Sequence, residues 1–273
     1  MKLSVSYNFF NGEEHLIPSI LSVRNSVDFI TIVYQNFSNA GNAISAEALD
    51  VLNDIRKNKL VEKIIEFKPD SSLARHRNEL AKRSIGLQEA LNAKCTHFFT
   101  MDADEFYRRK ELDFAKDYIF RNRINASSVD SYFHIKTPNW RAKDTTRCAF
   151  ITKINDRTQI GSGDYYIAMV DSTRSLKPVK SNSIISIALG RFFPTIVHIH
   201  FEDTDVAMYH MNFVRKDEMN SKLANTSTTD IAFLEKIRAR YLEWQPGTIF
   251  SFPNKGDFKF DHVRNEFATW TPE

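Results

Sequence analysis

Met101-Asp102-Ala103-Asp104-Glu105-Phe106 sets two carboxylates one residue apart, directly after the apolar run Thr96-His97-Phe98-Phe99-Thr100-Met101. Carboxylates on backbone leaving a strand can converge on a hard divalent ion. Mg²⁺ or Mn²⁺ takes oxygen ligands and commonly shares them with substrate phosphates. Such an ion neutralises a diphosphate leaving group as the bond to it breaks. A bare Asp-x-Asp is a weak signal, because Asp203-Thr204-Asp205 repeats it later in the chain. Position strengthens the first copy, against the competing reading of a helix cap or a solvated acidic turn.

Three further groups carry chemistry. His198 and His200 sit two apart on a predicted strand and face one side, with Glu202, Asp203 and Asp205 close behind, so they too can hold a metal. In Gly161-Ser162-Gly163-Asp164-Tyr165-Tyr166 the glycines permit a tight turn that presents Asp164, a candidate base for an attacking hydroxyl. A plain β-turn with Asp in a favoured place is the competing reading. Arg75 and Arg77 open a predicted long helix, where the N-terminus favours anions and guanidinium groups add bidentate phosphate contacts. They also read as solvated arginines on a helix that carries Glu79, Lys82 and Arg83. Trp140, Tyr165, Tyr166 and Trp244 can stack on sugar rings, but in a chain with 22 Phe the default for an aromatic is core.

The elements that must position these groups begin with alternating strand and helix signals. Strands are predicted at Leu3 to Phe10, Phe29 to Tyr34, Lys63 to Phe67 and Thr96 to Met101. Helices are predicted after Asn11-Gly12-Glu13-Glu14, with Asn11 as cap and Pro18 kinking or starting the helix, and over Ala46 to Arg56 and Leu73 to Leu91. This β-α-β order implies an α/β fold, a mostly parallel sheet flanked by helices. Ligands of open α/β sheets bind beyond the carboxyl ends of the strands, here just after Phe10, Tyr34, Phe67 and Met101. The second half reads as strands at Ser131 to Lys136, Cys148 to Lys153, Ile184 to Ile187 and Thr195 to Ile199. Helices over Val206 to Leu223 and Ile231 to Trp244 follow.

Composition bounds the rest. At 273 residues and 42% hydrophobic content the chain can build one sizeable core. A net charge of +3 is too small to argue for nucleic acid, suits a diphosphate pocket, and equally suits ordinary solubility. Cys95 and Cys148 lack CxxC spacing and read as buried free thiols. The opening Met1 to Val5 runs straight into a strand pattern, and no run of about 18 apolar residues occurs. The expectation is a cytoplasmic protein. Peripheral contact with the inner membrane through the aromatic, basic tail is a further expectation.

Asn11-Gly12-Glu13-Glu14, Ala74-Arg75-His76-Arg77-Asn78 and Asp102-Ala103-Asp104-Glu105, in this order, resemble the GT-A glycosyltransferases. The likeness is to the family 2 group and its relatives in bacterial polysaccharide and lipopolysaccharide synthesis, and it covers roughly residues 2 to 110. It implies a GT-A fold with a mixed acceptor-side half. The whole chain, 1–273, would then be one domain, with 1–110 binding the nucleotide-sugar and 111–273 the acceptor. It also implies Mn²⁺ or Mg²⁺ on Asp102 and Asp104, and Arg77 near the donor. The segment Met208-Tyr209-His210 to Arg215 with Lys222 is similar to a late segment of several GT-A relatives, which implies His210 as a further metal ligand. The sequence departs from the family after the second strand, where Gln35-Asn36-Phe37-Ser38-Asn39 replaces an Asp-rich turn. Gln35 or Asn36 can still bond a base edge through its amide.

The resulting expectation is transfer of a sugar from a nucleotide-diphosphate sugar to a carbohydrate or lipid-linked glycan acceptor. Asn8, Asn11 and Gln35 line the nucleotide pocket, Arg75 and Arg77 assist the diphosphate, and Asp164 is the base. The alternatives are a metal-dependent phosphoesterase built on the His-x-His cluster and a non-catalytic glycan-binding protein. Nucleotidyl transfer is disfavoured by the lack of a Gly-rich, Arg-containing loop after the first strand.

Overall fold

Leu3–Phe9 (β1), Phe29–Tyr34 (β2) and His97–Asp102 (β4) are buried along nearly their whole length, as strands covered on both faces must be. With Lys63–Glu66 (β3) they form a parallel block in the order β3-β2-β1-β4. The computed structural model describes residues 1–161, 174, 176–177, 197–226, 228 and 230–270. Asp164, Tyr165, Tyr166 and the strand expected at Ile184 to Ile187 lie outside the described residues.

Beyond β4 the sheet turns antiparallel. Thr137–Lys153 (β7) pairs with β4 and with Ala126–Ile135 (β6), a far longer hairpin than the sequence suggested. Ala207–Phe213 (β11) and His198–Phe201 (β10) then lie parallel to β6, and Glu105–Phe106 (β5) runs antiparallel to β11. The architecture is thus α/β, a mostly parallel sheet flanked by helices and continued by a mixed second half.

Helices Glu13–Val23 (α1), Ala46–Lys57 (α2), Arg75–Asn92 (α3) and Arg109–Arg121 (α4) belong to the first part of the chain. The start of α1 differs from expectation: Gly12, not Asn11, is its cap residue, at φ 82°, and no side chain caps it. Pro18 lies inside α1 and neither starts nor ends it. Ser45 caps α2 by accepting from the Ala48 N–H at 3.0 Å. Helix α3 lies so close on β1 that a Cβ on Gly86 would fall 2.0 Å from Ser6 Oγ. Only glycine fits that crossing.

The helix expected over Val206 to Leu223 is a correction. Its first part is β11, and only Asn220–Asn225 is helical. Val206 to Met211 are buried except His210, so the run has no period-2 pattern to announce a strand.

Two main cores result. Leu3, Val5, Ile20, Ile32, Leu52 and Phe99 pack under the parallel block. Phe133, Phe213, Tyr241 and Trp244 pack with Phe250, Phe258 and Phe260 from the tail, where Ile249–Phe252 (β12) and Gly256–Lys259 (β13) form a hairpin. The tail aromatics expected to meet a membrane are therefore packed inside, and Phe267 and Trp270 lie against a third cluster. Trp140 and Trp244 meet edge to face at 5.9 Å and Trp244 is buried, which makes them packing residues rather than a sugar platform. Among the described residues no helix is long and apolar enough to cross a membrane.

Candidate active site

The parallel strands β1, β2 and β4 end at one cleft of about 560 Å³, whose lining includes Asn8, Asn11, Gln35, Asp102 and Asp104. These are sequence-expected residues, and the sheet places them where open α/β folds bind ligands. Strand register accounts for it: Asn8 pairs with Asp102 across β1 and β4, and Asn8 pairs with Val33 across β1 and β2.

Asp104 sits in the turn between β4 and β5. The Met211 N–H donates to its carbonyl oxygen at 2.7 Å, which ties that turn to β11. Register on β5 and β11 sets His210 beside Glu105, and His210 Nε2 lies 3.3 Å from Asp104 Oδ1. The other oxygen, Oδ2, accepts from Arg215 Nη2 and from Lys222 Nζ, the latter at 2.8 Å. Burial alone would raise the Asp104 pKa. Lys222, Arg215 and His210 overcome that and hold the carboxyl well below the usual range.

Asp102 has different company. Its Oδ1 accepts from Arg83 Nη2 at 3.0 Å, and its Oδ2 accepts from Arg174 Nη2. Arg174 also donates to Glu105 Oε1, and the Asp102 N–H donates to Glu105 Oε2 at 2.9 Å. Burial pushes the buried Glu105 carboxyl up. Among the described residues, Asp102, Asp104 and His210 do not bring three ligand atoms within 4.8 Å of one another. The expected trio thus resolves into a pair, Asp104 with His210, while arginines hold Asp102.

That pair fits a divalent ion. Two ligand atoms bound to one octahedral ion at about 2.1 Å sit about 3 Å apart, close to the observed separation of Oδ1 and Nε2. One carboxylate and one imidazole leave further positions for phosphate oxygens, and the imidazole favours Mn²⁺ over Mg²⁺.

Among the described residues, seven cationic residues line the cleft (Lys82, Arg83, Arg147, Arg174, Arg215, Lys222, Lys255) against five carboxylates (Glu79, Asp102, Asp104, Glu105, Asp144), an excess of two positive charges. Lys82 Nζ donates to the Phe9 carbonyl at 2.8 Å, and burial pushes its ammonium down to about 8 against the pull of Glu79. Burial likewise lowers Lys222. At the ends of β1 and β2, Glu79 accepts from Asn8 Nδ2 at 2.6 Å and from Asn39 Nδ2 at 3.2 Å. Gln35 Nε2 donates to the Phe37 carbonyl at 2.7 Å. The amide oxygens of Asn8, Gln35 and Asn39 are left buried without a hydrogen-bond partner. A second hollow, lined by Phe37, Gly41, Phe67, Pro69 and Leu73, shares Ser38 and Asn39 with the cleft.

Arg75 and Arg77 do not reach the lining of this cleft. Arg75 Nη1 donates to the Thr226 carbonyl at 2.8 Å, and Arg77 is exposed. The cations of the same helix that line the cleft are Lys82 and Arg83, about two turns further on. Arg174 escaped the sequence reading altogether, since nothing in its neighbourhood marks it. His198 and His200 do not line the cleft. Cys95 and Cys148 are free, and Cys148 lines the cleft with its thiol pushed up to about 12 by burial. Asp144, whose carboxylate accepts from Lys255 Nζ at 3.0 Å, lines the cleft on the side of the second half.

No protein-family model matches the chain, and no curated protein does. Among solved structures, residues 1–349 of S. aureus TarS share 14% identity over 56% of this chain and 47% of that chain, with a TM-score of 0.38. The same protein in complex with UDP gives 14% identity over 54% of this chain and 42% of that one, TM-score 0.36. GalNAc-T7 with UDP, GalNAc and Mn²⁺ gives 17% identity over 49% of this chain and 24% of that one, TM-score 0.36. The chain spans less than half the length of each of these solved chains.

Proposed function

We propose that this chain is a glycosyltransferase that takes its sugar from a nucleotide-diphosphate donor. The observation that carries the reading is the cleft at the carboxyl ends of β1, β2 and β4. It combines an excess of two cationic side chains, the Asp104–His210 pair, and three buried amide oxygens in want of donors. A diphosphate supplies the negative charge. Ribose hydroxyls and a base N–H supply donors for Asn8, Gln35 and Asn39, and the hollow beside Phe37 and Leu73, which also carries Glu66, Lys68 and Asp70, takes the base.

In this reading Asp104 and His210 hold Mn²⁺ or Mg²⁺, which supplies positive charge to the diphosphate as it leaves. Arg83, Lys82 and Arg215, which are buried, and the partly exposed Lys222 add fixed charge around it. Asp102 and Asn11 contact the donor. The acceptor enters from the Asp144–Lys255 side, with Asp164 as the base that takes the proton of its hydroxyl. The chain acts as one domain, 1–273. Residues 111–273 do more than bind the acceptor, because His210, Arg215 and Lys222 complete the donor site. A bacterial surface glycan made at the cytoplasmic side of the inner membrane is the proposed acceptor class.

A phosphoesterase built on His198 and His200 would need those imidazoles at the phosphate, and neither lines the cleft. The test is thermal stability against a panel of nucleoside diphosphates, each with and without Mn²⁺. A ligand that binds the native state alone raises the melting temperature as its concentration rises. One nucleoside diphosphate with a Mn²⁺-dependent shift is the expected result. No shift with any nucleotide would remove the proposal.

A further inference from the structure

We propose a second metal site, for Zn²⁺, formed by Asp130 on β6 with His200 and Glu202 at the end of β10. One ligand atom from each lies within 4.8 Å of the other two. His200 Nε2 is 3.1 Å from Asp130 Oδ1. Parallel pairing sets His200 directly across from Ser128, so Ser128 Oγ meets His200 Nδ1 at 2.9 Å and fixes the ring with Nε2 turned to the carboxylates. An outer partner on the far nitrogen of an imidazole is how metal-bound histidines are oriented.

Charge supports the same conclusion. Lys143 Nζ lies 2.8 Å from Asp130 Oδ2 and 2.9 Å from Asp203 Oδ1. Among the described residues, the carboxylates of Asp130, Glu202 and Asp203 outnumber the Lys143 ammonium and Arg147, which pairs with Asp130 across β6 and β7, leaving net negative charge that favours a cation. Imidazole with carboxylate oxygen suits zinc, and three protein ligands leave a fourth tetrahedral position for water. Asp130 and His200 are nearly buried while Glu202 is exposed, which gives the ion a way in.

The site is separate from the donor cleft. None of its three ligands lines the cleft. Bound zinc would pin the four-residue strand β10 to β6. The inference stands whether or not the chain transfers sugars.

The experiment is metal analysis of the purified chain, saturated with Zn²⁺ without nucleotide and then dialysed, with calorimetric titration for affinity. The expected result is one zinc per chain. Glu202→Gln, an exposed substitution that spares the fold, and His200→Gln should each weaken binding tenfold or more, while His210→Gln in the cleft leaves it unchanged. X-ray absorption at the zinc edge should show imidazole scattering that His200→Gln removes. Retention of no zinc by the natural chain would overturn the proposal, as would unaltered binding in both Glu202→Gln and His200→Gln, or loss of the zinc in His210→Gln.

Discussion

Asp104 Oδ1 faces His210 Nε2 at 3.3 Å while Asp104 Oδ2 is held by Arg215 and Lys222, so one carboxylate serves two functions on its two oxygens. Removing the carboxylate and removing the imidazole should therefore have different consequences. Asp104→Asn leaves the buried Arg215 and the partly exposed Lys222 beside a neutral amide, and breaking the buried Arg215 pair costs roughly 3–5 kcal/mol. His210 is partly exposed and its loss should change stability by less than about 1 kcal/mol. Both variants should lose the Mn²⁺-dependent part of nucleotide binding. Denaturant unfolding and titration with and without Mn²⁺ check this. Equal stability losses in the two variants would show that the oxygens do not divide their duties.

Gly12 couples the start of α1 to the same carboxylate. Its φ is 82°, and an added Cβ would fall 2.4 Å from Arg215 Nη1. Gly12→Ala should cost about 1–2 kcal/mol in left-handed backbone strain and should also push Arg215 away from Asp104. Gly247→Ala is the control, since Gly247 has φ 88° but open space around its Cβ and lines neither hollow. The Gly247 variant should show the backbone loss alone, and the Gly12 variant should weaken nucleoside diphosphate binding as well. Indistinguishable binding in the two would mean that Arg215 tolerates displacement.

The first hundred residues were legible because each strand is an apolar run closed by turn residues and each helix shows its buried stripe. Ala48, Leu52 and Ile55 of α2 are an example. In α4, Leu112, Ala115 and Ile119 repeat at helical spacing, so the sequence carries the signal of this helix too. The tail hairpin had a signal too, Asn254-Lys255-Gly256 between Ile249–Phe252 and Gly256–Lys259. β11 was not legible, because a strand buried on both faces has no alternation to separate it from a buried helix. In the cleft, Asp102, Asp104, Asn8, Asn11 and Gln35 were found because strand ends mark sites. Arg83 and Arg174 were not, since a charged residue inside a helix or loop reads as solvent-facing until tertiary packing aims it inward.

Histidine burial sets an acid limit on stability. His134 is buried, Nδ1 donates to the Pro138 carbonyl at 2.8 Å, and burial lowers its pKa to about 3. In the unfolded chain a histidine titrates near 6.5. As pH falls below that value the unfolded state takes up the proton first, so stability drops until the folded pKa is reached. His134→Phe removes this term. Its stability relative to the natural chain should improve by about 1.4 kcal/mol per pH unit from pH 6 down to 4. Denaturant unfolding at pH 7, 6, 5 and 4 measures the difference, and a pH-independent difference would show that His134 protonates without unfolding.

Arg83 and Arg77 lie two turns apart on α3 and separate the reading by helix start from the reading by cleft geometry. Arg83 is buried, donates to Asp102 Oδ1 and lines the cleft; Arg77 is exposed and does not. A charge-assisted hydrogen bond to an anion contributes roughly 1.5–3 kcal/mol, and each 1.4 kcal/mol is tenfold in affinity. Arg83→Ala should therefore weaken nucleoside diphosphate binding by about tenfold to a hundredfold, while the nucleoside itself binds as before. Arg77→Ala should leave both affinities within about twofold, because a solvated arginine off the cleft contributes little. Calorimetric titration of the diphosphate and the nucleoside against both variants decides the matter. A large loss in Arg77→Ala with none in Arg83→Ala would move the phosphates from the Asp102 side of the cleft to the helix start.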